Sequence, residues 1–408
     1  MGISIREMMK VTQLTRGGRL MDATRAIQRA LGFGDQAKAP SAAQDRPQTA
    51  GEPVTRFRAA NDDSAVVDTP FREITAWEPP VAEPPAVTPT PTTAPAPTPA
   101  AAPPLTHPGS FTEHVFQFAD ESYAYRLYLP PHTDAASLTG LPLVVLLHGC
   151  KQDAADFAQG TAMNALAEQE RCLVLYPEQL SKANSLRCWN WFDPAHQGRD
   201  AGEPGMIAAL TRSVMEAHQA DPRRVYIAGL SAGGAMSALV ASLYPEVFAA
   251  VGVHSGLPTG AASNVISAFG AMRRGASGTA GTTPAGDGPG GTPTIVFHGS
   301  ADKTVHPDNG DQVMDAALAA MTAAGMALQK SQSSDSTAPE AGADDRGMVR
   351  TVYRDANGKS WVEHWAVSAG PHAWSGGNAA GSFTDPRGPD ASRAMLTFFL
   401  QHQRPQPG

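Results

Sequence analysis

From residue 110 onward the apolar positions fall into short unbroken runs separated by stretches with helical spacing. Leu141–Leu147 (LPLVVLL) is apolar throughout, the pattern of a strand buried on both faces. Cys172–Tyr176, Arg224–Ala228, Ala249–His254 and Thr294–His298 repeat it in shorter form. Asp153–Arg171, Glu203–Gln219, Ala232–Leu243 and Asp308–Ala324 are the predicted helices between them, and Ala391–Gln401 closes the series. Phe111–Phe118 and Tyr123–Leu129 predict an opening antiparallel pair, and Met348–Arg354 and Trp361–Val367 the last strands. Strands alternating with helices imply a doubly wound, mostly parallel α/β sheet with helices on both faces.

The front of the chain follows another pattern. Met8, Val11 and Leu14, then Leu20, Ala23, Ile27 and Leu31, sit three or four apart around Gly17-Gly18. Residues 1–32 are therefore read as a short helical hairpin, either an amphipathic appendage or a docking element. Eleven prolines lie between Pro79 and Pro104, a composition that builds an extended spacer and no core. Residues 33–109 are read as linker and residues 110–404 as the folded domain. Gly275–Gly291 and Ser331–Gly347 are of low complexity and are expected to be mobile surface insertions.

Composition narrows the function. A net charge of −8, with no Lys/Arg-rich run, argues against nucleic acid or an anionic membrane as the main partner. No apolar stretch approaches the ~20 residues needed to span a bilayer. Met1–Leu31 lacks the uninterrupted apolar core of a secretory signal, which points to the cytoplasm. Three cysteines, Cys150, Cys172 and Cys188, read first as reduced thiols, with one disulfide plus one buried thiol as the other option.

Chemistry enters at Gly229-Leu230-Ser231-Ala232-Gly233, which follows the strand Arg224–Ala228 and opens a helix. A serine on so sharp a turn sits in strained backbone, and glycines two residues to either side keep the turn free of clashes. A serine hydroxyl needs a neighbouring imidazole to take its proton. In this arrangement the acid and then the base follow the serine along the chain. Of the later histidines, His364 lies within a strand and His402 in the tail, while His254 and His298 precede any plausible acid. His306 stands only four residues after Asp302. That leaves His372, in a loop after the last strand. Asp302, in the loop after Thr294–His298, is the expected acid, and its rival Asp308 is read as a helix N-cap. The backbone amides of Cys150, after Leu141–Leu147, and of Ala232 are the expected oxyanion donors. His148 and His298 share a strand–His–Gly pattern without the carboxylates a metal site would need, so they are read as ordered loop histidines. The site so assembled requires no metal and no cofactor.

These stretches resemble a known family. LLHGC (Leu146–Cys150), RCWNWF (Arg187–Phe192), DPRRVYIAGLSAGGAMS (Asp221–Ser237), FAAVGVHSGLP (Phe248–Pro258), FHGSADKTVHP (Phe297–Pro307) and GPHAWSGG (Gly370–Gly377) look like the polyhydroxybutyrate-depolymerase family of α/β-hydrolase esterases, related to feruloyl and acetyl-xylan esterases. The resemblance implies Ser231, Asp302 and His372 as a catalytic triad, Cys150 and Ala232 as oxyanion donors, and a Cys150–Cys188 disulfide with Cys172 as the spare thiol. It implies Trp189, Trp191 and Trp374 as walls of a substrate crevice, with core packing the alternative for Trp191. It further implies an ester substrate, either an insoluble polyester or an acylated polysaccharide, and an extracellular setting at odds with the N-terminus. A peptidase of the same fold, or a non-catalytic granule-binding protein, are the competing functions.

Overall fold

The computed structural model describes residues 108–132, 134–276, 291–335 and 345–405. The expected N-terminal hairpin and, up to residue 107, the proline-rich linker lie outside the described residues, as does most of the expected insertion at 275–291.

Alternation along the central strands builds two cores. In β3 (Leu143–Leu147), β4 (Leu173–Pro177) and β5 (Val225–Leu230) every residue is buried. Successive side chains point to opposite faces. Leu143, Val145, Leu147, Leu173, Leu175, Val225 and Ile227 accordingly join one cluster. It includes Met206 and Leu210 of α3 (Gly202–Ala217) and Met236 and Leu239 of α4 (Ala232–Leu243). Val144, Leu146, Val174, Tyr226 and Ala228 join the other. Its helical partners are Phe157 of α1 (Ala154–Thr161), Met163 and Leu166 of α2 (Met163–Glu170), and Met395 and Phe399 of α7 (Ala391–Leu400). At roughly 1.5–3 kcal/mol for each large apolar side chain buried, this two-sided burial is the main source of stability.

The remaining strands are β1 (Ser110–Phe118), β2 (Glu121–Leu129), β6 (Ala250–His254), β7 (Thr294–Gly299), β8 (Gln329–Asp335), β9 (Met348–Arg354) and β10 (Ser360–Val367). The sheet runs β1-β2-β4-β3-β5-β6-β7-β10-β9-β8. From β4 to β10 neighbours are parallel, and β1, β2, β9 and β8 pair antiparallel at the two edges. A two-stranded pair, β11 (Trp374–Ser375) and β12 (Thr384–Asp385), lies apart from it. α5 (Val265–Arg274) and α6 (Asp308–Ala323) complete the α-helices of the described residues. No helix among the described residues is long and apolar enough to cross a membrane.

Three expectations are corrected. The helix expected over Asp153–Arg171 is two, parted at Ala162, whose φ is 52°. Tertiary contacts account for the break: the Gly160 carbonyl accepts from Asn378 N (2.8 Å) and that of Thr161 from Ser392 Oγ (2.6 Å). The insertion expected over Ser331–Gly347 begins as an ordered edge strand, since β8 pairs with β9 through polar residues that carry no apolar periodicity. Asp308 is not the N-cap of α6; Pro307 holds that position, and the Asp308 carboxylate lies 3.3 Å from His306 Nδ1.

Candidate active site

The parallel strands β3, β5, β6, β7 and β10 are consecutive neighbours in the sheet, so the loops at their C-terminal ends share one edge. Ser231 follows β5, Asp302 follows β7 and His372 follows β10.

Ser231 has φ 59° and ψ −119°, a positive-φ conformation that side-chain-bearing residues seldom adopt. It costs of order 1–3 kcal/mol, so surrounding contacts must enforce it. The Ser231 N–H donates to the His254 carbonyl at the end of β6 (2.8 Å), and its own carbonyl accepts from Ala235 N (2.9 Å) in the first turn of α4. The two flanking glycines are required by proximity. A Cβ at Gly229 would lie 2.4 Å from the Gly233 carbonyl carbon, and one at Gly233 only 2.1 Å from the Leu147 oxygen. The start of α4 is thus pressed onto the end of β3, where His148-Gly149-Cys150 begins. Among the described residues neither the Cys150 nor the Ala232 N–H donates to a backbone group outside the helices and strands.

Asp302 has a fully buried carboxylate. Its Oδ1 accepts from the amides of Thr304 and Val305, both at 2.8 Å, and its Oδ2 lies 2.7 Å from His372 Nδ1. Burial alone would raise its pKa. Hydrogen bonds from His298 and His372, the positive potential of His372 and the Val305 amide outweigh burial and hold the carboxyl well below the usual carboxylate range. Asp302 is therefore an anion, and it fixes the His372 proton on Nδ1, leaving Nε2 as the basic nitrogen. The two loops are clasped together. Ala301 N donates to the Gly370 carbonyl (3.0 Å), Ser300 N to Val367 (2.9 Å) and Ala369 N to Ser300 Oγ (2.8 Å). A Cβ at Gly299 would stand 2.2 Å from the Gly370 oxygen.

His254, singled out in the sequence only as a strand end, joins both halves of the site. Its carbonyl holds Ser231, its Nε2 accepts from Ser375 N (2.9 Å), and its ring stacks on Trp374 and Phe297. Burial, with further repulsion from His298 and His372, lowers its pKa to about 3, so it is a neutral acceptor. His148 is likewise 1% exposed and lowered to about 4 by burial. Its Nε2 accepts from Gln179 N (3.2 Å). His298 lies within β7 rather than in a loop, with Nε2 3.0 Å from the Val305 carbonyl.

The Cys150–Cys188 disulfide is formed, with the Cα atoms 4.3 Å apart, and Cys172 is a buried free thiol. The bond ties the loop after β3 to the Trp-rich segment, reinforced by Lys151 N to the Leu186 carbonyl (2.6 Å). Behind that segment lies a carboxylate that sequence reasoning missed. Glu203, 2% exposed, accepts from Asn190 N (2.7 Å), Asn190 Nδ2 (2.6 Å) and Gln179 Nε2 (2.5 Å). Burial raises its pKa, with His196 and these hydrogen bonds opposing. The tryptophan expectation is corrected. Trp189 and Trp374, 0% and 1% exposed, are core residues whose indole N–H groups donate to the His148 carbonyl (3.1 Å) and Ser392 Oγ (2.9 Å). They support the loops of the site from behind and wall no crevice. Trp191 is also buried, at 7% exposed, edge-on to Phe192.

Sheet order, helices on both faces and a strained serine between β5 and α4 define an α/β-hydrolase fold. The chain belongs to the esterase PHB depolymerase family, whose model matches residues 123–329. That span includes Ser231 and Asp302, and His372 lies beyond it. The chain is 33% identical over 252 residues to poly(3-hydroxyalkanoate) depolymerase C of Paucimonas lemoignei, covering 59% of this chain and 57% of that protein. It is 33% identical over 250 residues to poly(3-hydroxybutyrate) depolymerase of Ralstonia pickettii, covering 58% and 48%. The chain spans about half the length of these curated relatives. An acetyl xylan esterase from Aspergillus awamori shares the fold, with a TM-score of 0.55 over 72% of this chain and 99% of that one at 19% identity.

Proposed function

We propose that residues 110–404 form a serine esterase that cleaves carboxylic esters through an acyl-enzyme. The observation that carries this reading is the buried Asp302 carboxylate 2.7 Å from His372 Nδ1, on the sheet edge that also presents the strained Ser231. His372 Nε2 takes the Ser231 proton as the hydroxyl attacks the ester carbonyl, and returns it to the leaving alcohol. Asp302 holds the ring and stabilises the imidazolium that forms. The amides of Cys150 and Ala232 receive the oxyanion, and water then deacylates the serine by the same relay.

The names of the relatives support a polyhydroxyalkanoate-type polyester as substrate, and acylated polysaccharide is the competing class. The Cys150–Cys188 bond supports action in an oxidising compartment. The test is hydrolysis of p-nitrophenyl butyrate followed by a panel of methyl ferulate, acetylated xylan and polyhydroxybutyrate film. Ser231→Ala is expected to fold normally and lose roughly four orders of magnitude in kcat. His372→Ala should lose a similar amount, and the double variant little more. Retained hydrolysis by Ser231→Ala overturns the reading.

A further inference from the structure

Gln152, two positions after the disulfide cysteine, makes long-range contacts and has no role in the chemistry above. It is 2% exposed, so it cannot meet a substrate, yet both ends of its amide are used. Its Oε1 accepts from Gly149 N at 2.9 Å, on the peptide that precedes the Cys150 amide. The approach is close: a Cβ at Gly149 would stand 3.0 Å from that oxygen. Its Nε2 donates to the Ser382 carbonyl and to Asp156 Oδ2, both at 3.0 Å, with Ser382 Oγ at 3.3 Å. Ser382 is held from the other side, since its N–H donates to Asp156 Oδ1 (2.8 Å) and its hydroxyl to Asp156 Oδ2 (2.5 Å).

Ser382 belongs to the loop between β11 and β12. The neighbouring Phe383 carbonyl accepts from Trp374 N (2.7 Å), two residues after His372. One buried amide therefore joins the loop that presents the Cys150 N–H to the loop that follows the base. Gly160 and Gly381 bring α1 against the same loop, where a Cβ on Gly381 would lie 2.3 Å from Gly160 Cα. A buried amide with every hydrogen-bonding group paired has a single orientation, because turning it over would oppose donor to donor at Gly149.

We propose that Gln152 is a positioning residue for transition-state stabilisation: it fixes the Cys150 amide relative to His372 by bridging Gly149 and Ser382. This rests on the esterase reading above. Gln152 sets a donor that is used only when the tetrahedral oxyanion forms, so its loss falls on kcat and leaves ester binding in place. Removing an oxyanion donor costs ~10²–10³ in rate, and a donor displaced but retained should cost about tenfold to a hundredfold.

The test measures the full chain with p-nitrophenyl butyrate, alongside inhibition by an alkyl boronic acid. Gln152→Ala should lower kcat about tenfold to a hundredfold with KM within about threefold. It should weaken the boronic acid by the same factor, because the tetrahedral adduct needs the same amide. Gln152→Glu keeps the acceptor for Gly149 N and sets a carboxylate against Asp156. Adding Asp156→Asn restores a donor–acceptor pair with residue 156, while the Ser382 carbonyl still faces the carboxylate, and should recover part of the loss, an outcome that damage to folding would not give. The inference is overturned by a Gln152→Ala enzyme with wild-type kcat, by a loss confined to KM, or by a double variant no better than Gln152→Glu. Labelling of wild-type Ser231 by a fluorophosphonate separates the two claims. Failure to label sinks the esterase reading, whereas a labelled, active wild type with an unaffected Gln152→Ala sinks only this one.

Discussion

Gly233→Ala tests the nucleophile turn most directly, because it adds a single carbon. That carbon would sit 2.1 Å from the Leu147 oxygen and 2.5 Å from the His148 oxygen, where ordinary contact begins at 3.4 Å. Both neighbours are backbone, so no side chain can swing aside. The end of β3 and the start of α4 must part by more than an ångström. The two expected oxyanion amides lie on opposite sides of that seam, Cys150 on one and Ala232 on the other. Overpacking of this kind costs about 1–3 kcal/mol of stability. A displacement of ~1 Å at reacting groups costs about 10²-fold in rate. We therefore expect a folded protein with a lowered melting temperature and kcat on p-nitrophenyl butyrate reduced about a hundredfold. Gly270→Ala in α5 is the matched control: its new carbon meets only Arg274 Nη2 at 3.9 Å, and activity should be unchanged. A Gly233→Ala enzyme with kcat and melting within experimental error of the parent would refute the steric argument.

Two further predictions concern acid and reductant. His148 and His254 are buried neutral, at about 4 and 3 against an ordinary 6.5, so below pH 6.5 the unfolded chain binds protons that the folded one refuses. Stability should fall with each pH unit from 6.5 towards 4 by about 1.4 kcal/mol per histidine; denaturant midpoints that stay constant between pH 7 and 5 would contradict this. Reducing the Cys150–Cys188 bond frees the loop that carries the Cys150 amide, so kcat should drop by more than KM rises. Reduced and oxidised protein with equal kcat would show that hydrogen bonding alone holds that loop.

Much of this was legible in the chain because its signals are local. Five buried strands announced themselves as apolar runs, and Gly229 and Gly233 around Ser231 reflect a clash visible in their geometry. His372 and Asp302 followed from chain order and strand ends. What escaped was non-local. The break at Ala162 is caused by partners more than two hundred residues away, and the burial of Trp189 and Trp374 depends on packing that no periodicity encodes. Glu203 and Gln152 looked like ordinary polar residues of a helix start and a loop. Only the fold shows that they are buried and fully engaged. α5 was a missed local signal, since Asn264 and Ser267 form a capping box at its start.

Cys172 has a consequence for how the protein ages. It lies beside β4 with no exposed surface, and burial pushes its thiol up to about 12. Disulfide exchange requires a thiolate, and a group of that acidity is ionised in only about one molecule in 10⁵ at neutral pH. The third cysteine is thus insulated from the Cys150–Cys188 pair while the domain stays folded. Scrambling of the bond must wait for unfolding. The shelf life of the active form is then set by the height of the unfolding barrier, and thiol-blocking reagents should extend it only at temperatures where the domain opens.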